Sequence, residues 1–289
     1  MASKQDLSQQ HIFITGATSG IGKATATALA QMGATVWFNF RTESKGQATQ
    51  TEIREQSGNP RVFGLPCDLS KIEDIKSLGA QIREKVPVLD TLIHNAGVWM
   101  GERTETSDGL EYTFAVNHLA PFLLTHEVLS CLEAAPQGRI ILVSSAVHTM
   151  GKWVPDDVQF QKRPFKGFTA YCESKLMNAM FTRTMSKKLA SSPMTINCLH
   201  PGVVATGITR ELPRWVQVGM DWIGLSPEKG ARTTLKLATD PALSTVSGEF
   251  FSNQKIAKIS KLADDEAACQ QLWDMSCAYT GVKQDHLQA

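Results

Sequence analysis

The sequence predicts an α/β protein: one doubly wound, parallel sheet with helices on both faces. Three observations predict it. Short apolar runs alternate with amphipathic segments from the start of the chain. The runs are apolar nearly throughout, as strands buried on both faces must be. Helical segments separate them, so neighbouring strands join by crossovers and lie parallel. The 289 residues suit one large domain and show no repeat, linker or low-complexity stretch. A polar tail over 1–10 therefore leads into a single domain over 11–289.

The first strand is expected over 11–15 and an alanine-rich helix over 21–32. A second strand over 34–40 precedes a helix over 43–57 that stops at Gly58 and Pro60. Residues 62–65 form the third strand, and Ser70-Lys71-Ile72-Glu73 reads as a capping box opening the next helix. The fourth strand covers 89–94. A long helix follows over about 107–134, bent near Pro121. The fifth strand spans 139–144, a second long helix about 168–190, and the sixth strand 195–199. Ser226-Pro227-Glu228 supplies the N-cap and first turn of a later helix. Phe250 and Phe251 mark a last short strand. The weakly patterned stretches 151–167 and 203–225 follow strand ends, where ligand-binding loops of such sheets lie.

Composition narrows the function class. With 29 basic and 28 acidic residues the net charge is +1, which gives no electrostatic basis for nucleic acid or an anionic membrane surface. No apolar run is long enough to span a bilayer, and the N-terminus lacks a signal-peptide pattern. The six cysteines form no CxxC pair and read as buried free thiols, which points to a reducing, cytoplasmic setting.

Thr15-Gly16-Ala17-Thr18-Ser19-Gly20-Ile21-Gly22 lies between a strand and a helix. That context marks a loop for a dinucleotide pyrophosphate, because glycine lets backbone approach phosphate and the helix N-terminus offers unpaired N–H groups. The second strand ends Asn39-Phe40-Arg41 and has no carboxylate for a ribose 2′-hydroxyl. A guanidinium there pairs with a 2′-phosphate, so NADP (NADPH) is favoured over NAD. Lys23 is a candidate helper.

Tyr171 and Lys175 are four residues apart and share one face of a helix. A phenol titrates near 10, and lowering it to about 7 requires roughly 4 kcal/mol of stabilisation of the phenolate. The Lys175 ammonium is expected to supply part of this, so that Tyr171 acts as an acid or base on a carbonyl or alcohol. The fifth strand runs out at Ser144-Ser145, where a hydroxyl can hold the substrate oxygen.

These motifs together resemble the short-chain dehydrogenase/reductase family of the classical type, over almost the whole chain. The resemblance implies a Rossmann-type sheet. It assigns the glycine motif to Gly16, Gly20 and Gly22, with Thr18, Ser19 and Ile21 between them. It also implies adenine contacts from Asp68 and Leu69, and an N-A-G segment at Asn95, Ala96 and Gly97. Asn117 would hold a water linking the lysine to solvent. Ser145, rather than Ser144, would be the catalytic serine, with Tyr171 and Lys175 as the catalytic pair that also contacts cofactor. Pro201, Gly202, Val204 and Thr206 would close over the nicotinamide.

Val116-Asn117-His118-Leu119, Phe122-Leu123-Leu124-Thr125 and Leu272-Trp273 resemble the retinol dehydrogenase-like branch. The N-terminal anchor of many animal members has no counterpart, and His94 stands where an asparagine is usual. A homodimer or homotetramer through the two long helices is also implied.

Trp99, Met100, Trp153, Phe165, Phe168, Trp215, Met220 and Trp222 are candidates to line an apolar substrate pocket, and 203–225 to form a lid. His94, His118, His148 and His200 make no metal-ligand pattern, so no metal is expected. Cys172 reads as a packed helix thiol. The sequence thus points to an NADP(H)-dependent oxidoreductase acting on a carbonyl or alcohol of a lipophilic small molecule. The alternatives are a non-catalytic NADP(H) sensor or scaffold and a sugar-nucleotide epimerase.

Overall fold

The structure is a computed structural model, and it describes residues 5–202 and 226–283. Eight strands form one sheet in the order β3-β2-β1-β4-β5-β6-β7-β8. They are β1 His11–Ile14, β2 Thr35–Phe40, β3 Val62–Pro66, β4 Thr91–His94, β5 Arg139–Val143, β6 Thr195–His200, β7 Phe250–Ser252 and β8 Lys255–Ala257. The first seven are parallel, with Ile14 opposite both Phe38 and Ile93. β8 returns antiparallel on β7 and is an addition to the expected all-parallel sheet. Asn253 and Gln254 have φ of 49° and 63°. That is the two-residue turn whose twist matches a hairpin.

The central strands β1, β4, β5 and β6 are largely apolar because each is covered twice. On one face lie α1 Gly20–Gln31, α2 Glu43–Ser57 and α8 Pro227–Thr239. On the other lie α3 Ile72–Lys85, α4 Tyr112–Phe114, α5 Ala120–Glu127, α6 Leu129–Glu133, α7 Gly167–Lys188 and α9 Glu266–Thr280. α1 buries Ile21, Gly22, Thr25, Ala26, Leu29 and Ala30, one stripe at helical spacing. Gly58, left-handed at φ 69°, ends α2 where expected. Ser226 caps α8, accepting from the Lys229 N–H.

Several local expectations are corrected. Ser70 does not cap α3. Its hydroxyl binds Asp68, the N-cap is Lys71, and the Asp108 carboxylate takes the Ile72 N–H at 2.9 Å from a distant loop. The long helix starts at Tyr112 rather than near 107 and breaks at Val128. Its bend near Pro121 takes the form of a π-helical turn over Ala115–Leu119. Pro121 has no N–H, so the Asn117 carbonyl four residues earlier lacks its α-helical donor. α9 was not foreseen as a helix. It packs on α7 and the π turn, with Trp273 edge-on to Phe122 at 5.1 Å. Residues 113–125 and 172–182 of the two long helices are all buried.

No helix among the described residues is long and apolar enough to cross a membrane. All six cysteines are buried and free.

Candidate functional site

The sheet order reverses direction between β1 and β4, and a crevice opens there at the strands' carboxyl ends. It is a cleft of about 830 Å³. Its loops follow strand ends: Gly16 and Thr18 to Gly22 after β1, Arg41 and Thr42 after β2 with Lys45 from the start of α2, and Asp68 and Leu69 after β3. Asn95 to Trp99 follow β4, Ser144 to Val147 follow β5, and Pro201 and Gly202 follow β6. Tyr171 and Lys175 enter from α7. Of the predicted site residues, Thr18, Ser19, Gly20, Ile21, Asn95, Ala96, Gly97 and Ser145 also line it. Val204, Thr206 and the lid over 203–225 lie outside the described residues, as do Trp215, Met220 and Trp222.

The glycine loop is built against its neighbour. Gly16 has φ 68°, and a Cβ there would stand 2.8 Å from the Ala96 Cα. At Gly22 a Cβ would meet the Asn95 Nδ2 and the Gly16 carbonyl oxygen, both at 2.3 Å. At these two positions the glycine is required by protein packing, a different reason from the phosphate approach expected for them. The Thr15 hydroxyl accepts from the Asn95 and Ala96 N–H groups at 3.1 and 3.0 Å, locking the β1 loop to the β4 loop. Asn39 performs the same task on the other side. It accepts from the Gly16 N–H and donates to the Cys67 carbonyl, a role the sequence did not reveal.

A dinucleotide fits this framework. The first turn of α1 has no side-chain cap and no acidic residue. Its N–H groups therefore face the cleft as an anion cradle. At the β2 end Arg41 and Lys45 are exposed cations four residues apart in sequence, Lys45 in the first turn of α2. The Arg41 Nη1 reaches the Tyr112 hydroxyl at 3.5 Å. Lys23, the expected helper, instead pairs with Glu52 at 2.7 Å and does not line the cleft. Lys45 lines the cleft instead.

At the far end Lys175 is buried and donates to the Val143 carbonyl at 3.0 Å. Its ammonium lies 5.4 Å from the Tyr171 ring centroid. The Ser144 hydroxyl turns back to the Lys175 carbonyl at 3.0 Å, which leaves Ser145 as the serine hydrogen-bonded to the phenol. Burial acts on both ionisable groups. It lowers Lys175 to about 8. It raises Tyr171 to about 12, with the Ser145 hydrogen bond opposing the rise. The expected fall of the phenol is thus reversed: desolvation of the phenolate outweighs the Ser145 hydrogen bond.

Asn117 does not line the cleft. Its side chain clamps Val98, accepting from the N–H at 2.8 Å and donating to the carbonyl at 2.9 Å. It also donates to the Ser174 hydroxyl at 3.0 Å. That places it behind Gly97, on the same side as the Lys175 ammonium.

Other candidates separate cleanly. His94 bonds Thr125, His118 bonds Ser276, and burial holds each near 3 and therefore neutral. His148 joins the Ser145 carbonyl to the Ser260 N–H. Cys172 is buried and its thiol is pushed up to about 11, as a packed helix cysteine. Of the described apolar candidates only Trp99 and Phe168 line the cleft. Phe165 packs edge-on to Phe160, and Trp153 bonds Gln271. The 151–167 stretch stays off the cleft wall, tied to α7 by Arg163 on Glu173 at 2.7 and 2.5 Å.

Comparison with known proteins gives the same picture. A family model for short chain dehydrogenases matches residues 10–217. Human retinol dehydrogenase 11 is 37% identical over 276 residues, covering 95% of this chain and 86% of that protein. Human retinol dehydrogenase 13 is 36% identical, covering 97% and 87%. A crystal structure of an uncharacterized Mycobacterium paratuberculosis protein superposes with a TM-score of 0.79 at 27% identity, covering 97% of this chain and 96% of that one. A short chain dehydrogenase from Escherichia coli CFT073, complexed with NADPH, has a TM-score of 0.67 at 24% identity, covering 88% and 100%.

Proposed function

The chain belongs to the short-chain dehydrogenase/reductase family, in its retinol dehydrogenase-like branch, and on that premise we propose a specific activity. It is an NADP(H)-dependent oxidoreductase that acts on a carbonyl or alcohol of a lipophilic small molecule, with Tyr171 as acid and base. The observation that carries this reading is one cleft with two chemically different ends. A buried Ser145 and Lys175 with a half-buried Tyr171 stand at one, and the exposed cations Arg41 and Lys45 at the other.

The cofactor, when bound, supplies the hydride. The chain supplies the proton and the positions. The Tyr171 phenol, protonated at neutral pH because burial raises it, gives its proton to the carbonyl oxygen as the carbon accepts the hydride. The Ser145 hydroxyl holds that oxygen. Lys175 carries the positive charge beside the phenol and offsets the phenolate left behind. Asn117 fixes Val98 through its side chain, and its main-chain carbonyl, left without an α-helical donor because Pro121 has no N–H, would hold a water linking Lys175 to solvent. Alcohol oxidation is the same path in reverse.

Arg41 and Lys45 support the choice of NADP. They offer donors to a 2′-phosphate, while the nearby Glu43 carboxylate is engaged by the Gln47 amide. Six buried free thiols suit a reducing compartment, the cytoplasm.

The test is consumption of NADPH and of NADH, followed by absorbance, over aldehydes and ketones of graded size and polarity, all-trans-retinal included. Consumption with NADPH well above NADH on apolar members is the expected result. Equal use of the two cofactors would remove the Arg41 argument. NADPH binding without turnover of any member would remove the oxidoreductase reading.

A further inference from the structure

Two aromatic rings line the cleft beside Tyr171 and take no part in the proton path. The Trp99 indole is stacked on the Tyr171 ring, centroids 5.4 Å apart and planes 21° apart. Phe168 lies 5.5 Å from Trp99 at 35°. Both distances fall in the range aromatic pairs prefer. The arrangement depends on Gly167. A Cβ there would stand 2.1 Å from the Met100 carbonyl oxygen and 2.8 Å from the Trp99 Nε1, so only glycine lets the start of α7 close on the Trp99 segment.

Phe168 remains 42% exposed although it lines a cleft. An exposed ring in a concave wall is a surface that a ligand can cover. Val98, Ala146 and Val147 extend the wall with apolar side chains. Lys175 is the one charged lining residue from α7 or the segments after β4 and β5, among the described residues, and its ammonium is engaged by Val143. Arg41 and Asp68 enter from the loops after β2 and β3, and Lys45 from the first turn of α2. Those strands lie three or more positions from β5, on the order of 14 Å or more at about 4.8 Å per strand.

We propose that Trp99 and Phe168 determine specificity, and that they select carbonyl compounds bearing an aromatic ring next to the reacting group. This rests on the reading of Tyr171 as the proton donor, since the wall is defined by its contact with that ring. A substrate ring entering beside Tyr171 extends the Trp99–Phe168 cluster in an offset or edge-on arrangement. A saturated ring of the same size buries similar area but has no quadrupole to match.

The experiment uses a matched pair, 2-naphthaldehyde and its saturated decahydro counterpart, with NADPH and wild type, Trp99→Leu, Trp99→Phe and Phe168→Leu. The readout is the ratio of kcat/KM for the aromatic over the saturated aldehyde. Comparing that ratio between variants cancels the intrinsic reactivity of the two aldehydes. Each leucine variant is expected to lower it about 5-fold, as roughly 1 kcal/mol of ring contact implies. Trp99→Phe is expected to hold it within about twofold. Phe168 is partly exposed, so its variant carries the test if Trp99→Leu does not fold. An unchanged ratio in the leucine variants, or no turnover of the aromatic member by wild type, overturns the proposal. Tyr171-dependent turnover of other carbonyls in that same case would leave the proposed function standing, whereas no turnover of any carbonyl would remove both.

Discussion

The two ends of the cleft work by different physics. At the proposed catalytic end Lys175 is 3% exposed and Ser145 9%. Burial there pushes a phenol up and an ammonium down, so each group's charge state is set by its surroundings. At the proposed phosphate end Arg41 and Lys45 are exposed surface cations. The difference teaches where precision is needed. A proton donor must have its charge and position fixed, and desolvation with backbone hydrogen bonds does both. A phosphate site needs only donors of the right sign, and water does little harm there.

The comparison can be broken first at Lys175. Lys175→Met is expected to cost on the order of 10³-fold in turnover, the scale of a positioned proton-transfer group, with NADPH still bound. A loss under tenfold would mean that the buried ammonium is structural. Because burial lowers Lys175 to about 8, it carries its charge below that pH and loses it above. Carbonyl reduction is therefore expected to decline as pH rises through about 8. A pH–rate profile flat to pH 10 would contradict the assignment.

The wet end should respond less and differently. Arg41→Asp is expected to lower the NADPH-over-NADH preference about 10- to 100-fold, the worth of a charged hydrogen bond of about 1.5–3 kcal/mol. Raising salt from about 0.05 to 0.5 M should weaken NADPH binding while leaving the bound-state rate constant unchanged, since exposed charges are screened and buried ones are not. Parallel losses in both would erase the distinction. The smallest effect is expected at Lys23. Its ammonium already pairs with Glu52, so Lys23→Ala should change the NADPH Kd less than about twofold.

Much of this was legible in the residues. Strands buried on both faces have to be apolar runs, which is why β1 to β6 could be read directly. The glycine motif and the Tyr171–Lys175 spacing were also readable, since each is a local pattern. Features made by contact were not. β8 is a three-residue edge strand with no apolar run to announce it, although Asn253 signals a turn. α9 has an N-cap at Asp265 and a stop at Gly281. Its buried stripe, however, includes Ser276 and Thr280, which satisfy their hydroxyls on the helix's own carbonyls. Polar residues buried this way hide the amphipathic pattern. Lys23 and Lys45 look alike in sequence, and only the Glu52 contact separates them. The phenol's direction of shift was misread for the same reason: spacing reveals the ammonium beside Tyr171 but not the dryness around both.

The most direct test of the account is Tyr171→Phe, measured for NADPH binding by fluorescence titration and for carbonyl turnover by absorbance on the same preparation. Binding within about threefold of wild type and turnover reduced by about 10³-fold or more is the predicted result. Turnover within tenfold of wild type would show that the proton comes from elsewhere and would contradict the account.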